Sequence, residues 1–261
     1  MIYSFSAQTH VGQVRSNNED SVAFEQRLGL GILADGMGGY NAGEVASGMA
    51  TAFIKSEMVQ WLDDAGEHAT LRAIRQALEV SVEKANLSIY RAATTQPQYN
   101  GMGTTLVVCV FHENALVLGH IGDSRAYLLR RGQLTQLTKD HSVLQEQIDA
   151  GLITPEQART SNQKNLVTRA VGVEVPVGLE VHEHQVLPGD TYLLCSDGLS
   201  DMLEDAQISE ILQTAQPAQA LADSLVQVAN AKGGRDNITV LLVQVTQGSE
   251  KRGLLARLLG K

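Results

Sequence analysis

Thr105-Leu-Val-Val-Cys-Val-Phe111-His-Glu-Asn-Ala115-Leu-Val-Leu-Gly-His-Ile121-Gly-Asp-Ser-Arg125-Ala-Tyr-Leu-Leu-Arg130 packs β-rich, apolar runs into one short stretch. Thr105–Phe111, Ala115–Ile121 and Arg125–Arg130 carry β-branched and aromatic side chains that favour an extended backbone. Breaks as short as His112–Asn114 join antiparallel neighbours, not parallel ones, so hairpins are expected. Leu134–Leu137 extends the series as a further strand.

Reading towards the N-terminus, the period changes from that of strands to that of helices. Ala46, Met49, Ala50, Phe53 and Trp61 recur at helical spacing, which predicts a helix from about Gly43 to Leu62, with Trp61 as its anchor. Leu71, Ile74, Leu78, Val82, Ala85 and Ile89 mark a longer second helix. Before them, Val22–Phe24 and Leu30–Ala34 read as short strands. Towards the C-terminus, residues 139–175 are polar and helical only in pieces, an excursion from the core. Val181–Val186 and Thr191–Cys195 return to strand character around the turn Pro188-Gly189-Asp190. Helices near Ala206–Leu212 and Ala218–Ala231 precede a closing buried strand, Ile238–Val245. Helices that cover sheets in this order predict an α+β fold, a four-layer α-β-β-α sandwich of two mainly antiparallel sheets flanked by helices.

Composition narrows the function. The chain has 261 residues, 43% of them hydrophobic, enough for a substantial core, and no apolar stretch long enough to cross a bilayer. Met1–Gln8 lacks the basic start and apolar segment of a signal peptide, and Cys109 and Cys195 are too few for a disulfide framework. The cytoplasm is therefore the expected compartment. A formal net charge of −9 argues against a nucleic-acid partner, because phosphate backbones select basic faces.

The placement of the acids is more informative than their number. Asp35-Gly36, Gly122-Asp123, Asp197-Gly198 and Arg235-Asp236-Asn237 each stand at the end of an apolar run, and Glu19-Asp20 precedes the strand at Val22. Each alone is an ordinary turn. Together they converge, since the ends of strands in a sandwich gather at one edge. Crowded carboxylates repel, and burial penalises their charge. A hard divalent cation such as Mg²⁺ or Mn²⁺, which prefers oxygen ligands, removes that cost. A glycine beside the aspartate allows close approach of a backbone carbonyl or a water.

Arg15-Ser-Asn-Asn-Glu19-Asp20, Asp35-Gly-Met-Gly-Gly39, Gly103-Thr-Thr105, Gly122-Asp-Ser-Arg125, Ser196-Asp-Gly198 and Gly233-Gly-Arg-Asp-Asn237 follow one another in this order. In this the chain resembles the protein phosphatase 2C family of metal-dependent phosphatases, most closely its compact bacterial members, over about Phe5 to Val245. The resemblance implies hydrolysis of phosphoserine and phosphothreonine in proteins by a metal-activated water, without a phosphoenzyme. It implies two core Mn²⁺ or Mg²⁺ ions and a third, weaker one. Asp35 is then a bridging ligand and catalytic residue, with the Gly36 carbonyl beside it. Asp197 and Asp236 complete the second ion's shell, Asp20 binds or orients metal waters with help from Glu19, and Asp123 serves the third ion. Arg15 is implied to be catalytic and to bind the substrate phosphate, a task that suits its bidentate guanidinium. Glu19, Ser124 and Asn237 support these ligands. Met37 stands where animal relatives have a histidine and Tyr40 where many bacterial ones do, which leaves the general acid open between a metal-bound water and an unassigned group, with Tyr40 a candidate for substrate contact.

The resemblance also implies one phosphatase domain over 1–247, with a flap at about 141–171 that shapes access, and a tail over 248–261. The expected partners are phosphorylated protein substrates and a cognate bacterial serine/threonine kinase that the enzyme opposes; no nucleic acid, and a monomer. A catalytically dead fold that binds phosphoproteins is the alternative, which loss of a metal-site aspartate would favour; none is missing. Cysteine-phosphatase chemistry needs an arginine six positions after its nucleophile, where Ala115 and Asp201 stand, and no phosphate-binding GxxxxGK[ST] loop occurs. His182 and His184 read as an exposed strand edge, His141 as a residue that positions the excursion, Cys195 as a buried strand residue, and Met37 and Met102 as packing under glycine-rich loops. Leu254, Leu255, Leu258 and Leu259, flanked by Lys251, Arg252, Arg257 and Lys261, leave two readings of the tail: a frayed end, or a stripe that docks on a partner or an acidic membrane.

Overall fold

Alternation along each strand explains how one chain builds several apolar layers. In the computed structural model, which describes residues 1–38, 42–159, 161 and 166–247, the expected hairpins from Thr105 onward are present. The elements in chain order are β1 (Ile2–His10), β2 (Asp20–Glu25), β3 (Leu30–Met37), α1 (Gly43–Ala65), α2 (Leu71–Thr95), the short β4 (Gly103–Thr104), β5 (Leu106–His112), β6 (Ala115–Ile121), β7 (Arg125–Arg130) and β8 (Gln133–Gln136). They continue with α3 (Val143–Asp149), α4 (Pro155–Arg159), β9 (Glu180–Gln185), β10 (Thr191–Cys195), α5 (Asp197–Ser200), α6 (Asp205–Leu212), α7 (Ala218–Ala231) and β11 (Ile238–Thr246). One sheet runs β1-β11-β10-β7-β8; the other runs β2-β3-β5-β6-β9, with β4 against β3. Every pairing is antiparallel.

Successive side chains of a strand point to opposite faces. In β5, Val107, Cys109 and Phe111 face the other sheet, while Leu106, Val108 and Val110 face the helices. β11 divides the same way: Leu241, Val243 and Val245 lie between the sheets, and Ile238, Val240 and Leu242 lie under α6 and α7. The inter-sheet layer is sealed by Phe5, Phe111 and Tyr192, with Phe111 edge-on to both of the others. α1 and α2 cover the second sheet with Ala46, Ala50, Ile54 and Met58 from one and Ile74, Leu78, Val82 and Ile89 from the other. Thr70 starts α2 by accepting a hydrogen bond from the Ala73 N–H, and Pro97 follows its end. The result is the α-β-β-α sandwich expected.

Some details differ from expectation. β1 carries no clear strand pattern in its sequence. As an edge strand it buries only Phe5 fully and alternates too weakly to stand out. α1 runs three residues beyond Leu62, and β2 and β3 are longer than their apolar centres. In the excursion, Ser142 caps α3 and pairs across to Val167, and Val171 returns to the core opposite Thr104. Trp61 packs against the helical layer and Met102 is fully buried, whereas Met37 is half-buried. Gly39, Tyr40, part of the excursion and the leucine-rich tail lie outside the described residues.

Candidate metal centre

The topology brings the acids to one edge. Asp35 sits near the end of β3 and Asp20 at the start of β2, directly opposite each other in the ladder. Asp123 follows β6, Asp197 follows β10 and Asp236 precedes β11, all at the same end of the sandwich. Antiparallel pairing makes the end of one strand the neighbour of the next one's start, so Asp236 acts on the charge of Asp20 from more than two hundred residues away in sequence.

Backbone hydrogen bonds fix the central carboxylate. The Asp35 N–H donates to Thr105 Oγ1 at 3.0 Å, and its carbonyl accepts from the Thr105 N–H at 2.8 Å and Thr104 Oγ1 at 2.9 Å. Thr105 Oγ1 also lies 2.7 Å from Ser124 Oγ, which links β3 to the Asp123 turn. Gly36 donates its N–H to the Glu19 carbonyl at 3.1 Å, and a side chain there would collide with the carbonyls of Glu19 and Gly43. Only glycine leaves that cradle open. On the other sheet, Asp197 begins α5, and Ser196 Oγ donates to Asp20 Oδ2 at 2.8 Å while accepting from the Thr239 N–H at 3.0 Å.

Asn237 braces the rim. Its amide donates to the carbonyls of Val11 at 2.9 Å and Asn17 at 2.8 Å, and its oxygen accepts from the Glu19 N–H at 2.8 Å. Its own N–H donates to Asp236 Oδ1 at 2.9 Å. Arg15, half-exposed, pairs with Asp236 at 2.7 Å, so its guanidinium stands at the mouth of the centre. The Gly-Thr-Thr and Ser-Asp-Gly motifs were visible in the sequence, but the tasks of Thr104, Thr105 and Ser196 were not, because a hydroxyl's partner is set by the fold.

The electrostatics follow from burial. Asp35 and Asp197 are both pushed well above the usual carboxylate range, first by burial and then by neighbouring acids: Asp20, Asp197, Asp123 and Asp236 act on Asp35, and Asp123 and Asp236 lead for Asp197. Burial pushes Asp20 up to about 6, and burial with Asp140 nearby does the same for Asp123. Burial and Glu44 raise Glu19. Asp20 Oδ1 is buried with no hydrogen-bond partner. An all-oxygen donor set, mutual repulsion and an unsatisfied carboxylate oxygen together fit hard divalent cations such as Mn²⁺ or Mg²⁺. The two thiols offer no competing nucleophile, since burial drives both Cys109 and Cys195 up to about 12.

On its Asp123 and Asp197 side the centre borders a cavity of about 460 Å³ lined also by α3, α4 and α5. His182 is exposed on β9, at the edge of its sheet, and hydrogen-bonds Glu180; His184 beside it is half-buried. No helix among the described residues is long and apolar enough to cross a membrane.

Comparison with known proteins agrees with this geometry. The serine/threonine protein phosphatase PstP of Mycobacterium tuberculosis is 44% identical over 246 residues, 94% of this chain, although the chain spans only 45% of that relative's length. The serine/threonine phosphatase stp of Listeria innocua is 38% identical over 244 residues, 91% of this chain and 94% of the relative. A solved structure of the PstP catalytic domain in complex with two manganese ions superposes with a TM-score of 0.83 at 41% identity, covering 94% of this chain and 99% of that one. The Protein phosphatase 2C profile matches residues 8–242, nearly the whole of the sandwich: the chain belongs to the protein phosphatase 2C family.

Proposed function

We propose that the protein hydrolyses phosphoserine and phosphothreonine in proteins with the help of Mn²⁺ or Mg²⁺ and opposes a bacterial serine/threonine kinase. The observation that carries this reading is the gathering of Asp20, Asp35 and Asp197, each half-buried, as mutually repelling carboxylates whose charge is poorly solvated. Asp35, the Gly36 carbonyl, Asp197, Asp236 and Asp20 would hold two core ions, and Asp123 a third, weaker one. When bound, such ions neutralise phosphate charge and acidify water near neutral pH. Asp35, pinned by Thr104 and Thr105, fixes the centre against the sheet. Asp20, held by Ser196, orients solvent at its inner wall. Arg15 swings from Asp236 to grip two phosphate oxygens, where its fork is pre-shaped for them. Glu19, Ser124 and Asn237 keep these groups in place through their hydrogen bonds.

In this reading residues 1–247 form the phosphatase domain, the segment at 141–171 is a flap beside the cavity, and the protein works as a cytoplasmic monomer. Its two buried free cysteines accord with a reducing compartment. Hydrolysis of a phosphothreonine peptide and of p-nitrophenyl phosphate, with Mn²⁺, Mg²⁺ or chelator, tests the function. Turnover that is lost with chelator and in Asp35→Ala is expected. Tight phosphopeptide binding without turnover would overturn the enzyme and favour a phosphoprotein-binding scaffold.

A further inference from the structure

Beside the carboxylate centre, His120, His141 and Glu180 bring potential ligand atoms within 4.8 Å of one another, the make-up of a separate cation site. The hydrogen bonds argue against that use. His141 Nδ1 accepts from the Gly122 N–H at 3.1 Å, so the proton of the neutral ring resides on Nε2, which donates to Glu180 Oε2 at 3.2 Å. Both His141 nitrogens are committed, so its ring has no lone pair left for a metal, and His120 Nδ1, buried without a partner, is the imidazole nitrogen of the group that stays free. Glu180 is likewise engaged, since its other oxygen takes His182 Nε2 at 2.7 Å.

The same network points to another task. His141 holds both backbone groups of Gly122: its ring accepts from the Gly122 N–H, and its own N–H donates to the Gly122 carbonyl at 2.9 Å. Gly122 adopts φ +100 and immediately precedes Asp123, and a side chain on it would meet Thr105 at 2.7 Å. The direction of the Asp123 carboxylate is therefore set by the two peptide groups flanking the Gly122 Cα, each held by His141. The His141 ring is itself confined, 8% exposed and stacked on His120 with centroids 4.7 Å apart; His120 Nε2 lies 2.9 Å from the Lys139 carbonyl. The His141 carbonyl accepts from the Thr168 N–H at 2.8 Å, and Ser142 pairs with Val167. One residue thus joins the Asp123 turn to the returning end of the 141–171 segment.

We propose that His141 is a positioning residue: its clamp on Gly122 aims Asp123 towards Asp197 and ties that aim to the segment at Val167–Thr168. The decisive atom is the Nδ1 lone pair, and Glu180 preserves it by keeping the proton on Nε2. This rests on the reading of Asp123 as ligand to the weaker third ion.

His141→Asn and His141→Gln separate the two sides of the ring. Asparagine places an amide oxygen near Nδ1, whereas glutamine reaches towards Glu180 and offers Gly122 no acceptor there. Free Mn²⁺ is followed by electron paramagnetic resonance as the full chain is titrated, so the readout is binding and not turnover. His141→Gln should weaken the weakest Mn²⁺ equivalent by about tenfold or more and leave the tighter ones unchanged. His141→Asn should bind like the unsubstituted chain. Equal weakening in both variants, or none in either, overturns the proposal. If Asp123→Asn retains every equivalent, the reading of Asp123 fails first, and the proposal falls with it for a distinguishable reason. Should His141→Gln not fold, Glu180→Ala on the edge strand replaces it; weakening of the same equivalent supports the clamp, and an unchanged isotherm contradicts it.

Discussion

Removing a charge from the centre should stabilise the protein when no divalent metal is present. Asp20 is half-buried with its Oδ1 enclosed, and its carboxyl is pushed from 3.8 to about 6, first by loss of solvent, then with Asp236 adding to it and hydrogen bonds from Thr239 and Ser196 opposing it. A carboxyl raised in the folded state binds its proton more tightly there than in the unfolded chain. Its ionisation therefore costs stability as pH rises through about 6, and that cost vanishes below 3.8, where both states are protonated. A rise of this size corresponds to about 3 kcal/mol at neutral pH. Asp20→Asn keeps an acceptor for Ser196 and removes the charge. In chelator at about pH 7.5 its Tm should exceed that of the unsubstituted chain by about 6–12 °C, at 2–4 °C per kcal/mol for a domain of this length. The gain should shrink towards about pH 5. Burial lowers His120 and His184, so their charging in the unfolded state opposes this trend in both proteins and cancels in the difference. Saturating Mn²⁺ should reverse the order, because the ionised aspartate then meets a cation. Differential scanning calorimetry reads all of these conditions. A variant less stable than the parent in chelator at neutral pH would refute the picture of uncompensated buried charge.

Arg15→Lys keeps a positive charge but loses the fork, and a charge-assisted bond of about 1.5–3 kcal/mol should cost roughly tenfold to a hundredfold in kcat/KM on a phosphothreonine peptide; unchanged steady-state kinetics would remove Arg15 from phosphate binding. Asn237→Ala strips the bonds to Val11, Asn17 and Glu19 and should cost about 2 kcal/mol or more in urea unfolding. Arg130 grips Asp190 with two bonds while Asp190 is only 2% exposed, so Arg130→Ala leaves a buried carboxylate without its counter-charge, held only by the Leu187 N–H and the Tyr192 hydroxyl, and should cost about 3 kcal/mol, with kcat/KM retained in the folded fraction. Loss of specific activity in that folded fraction would show that this distant pair reaches the centre.

The fold was legible wherever a strand is apolar along its length. β5, β6 and β11 are buried between layers, and their sequences announce it without reference to partners. β1 escaped because Ser4, Ser6, Gln8 and Thr9 give it the polarity of a loop, and only pairing with β11 makes it a strand. The acids of the centre stood out through their glycines and strand-end positions, which are local features. The hydroxyls that hold them did not: a threonine in Gly-Thr-Thr carries no mark of whether it will bond Asp35, Ser124 or water. His141 likewise read as a local residue of the excursion, because its partners Gly122 and Glu180 lie nineteen and thirty-nine positions away.

Crystals equilibrated with Mn²⁺ and measured on both sides of the manganese absorption edge give the most direct test of the central claim. Anomalous peaks in contact with Asp35, Asp197 and Asp236 are the predicted result. A centre in which those carboxylates stay together with no manganese peak between them, at metal concentrations that support turnover, would contradict it.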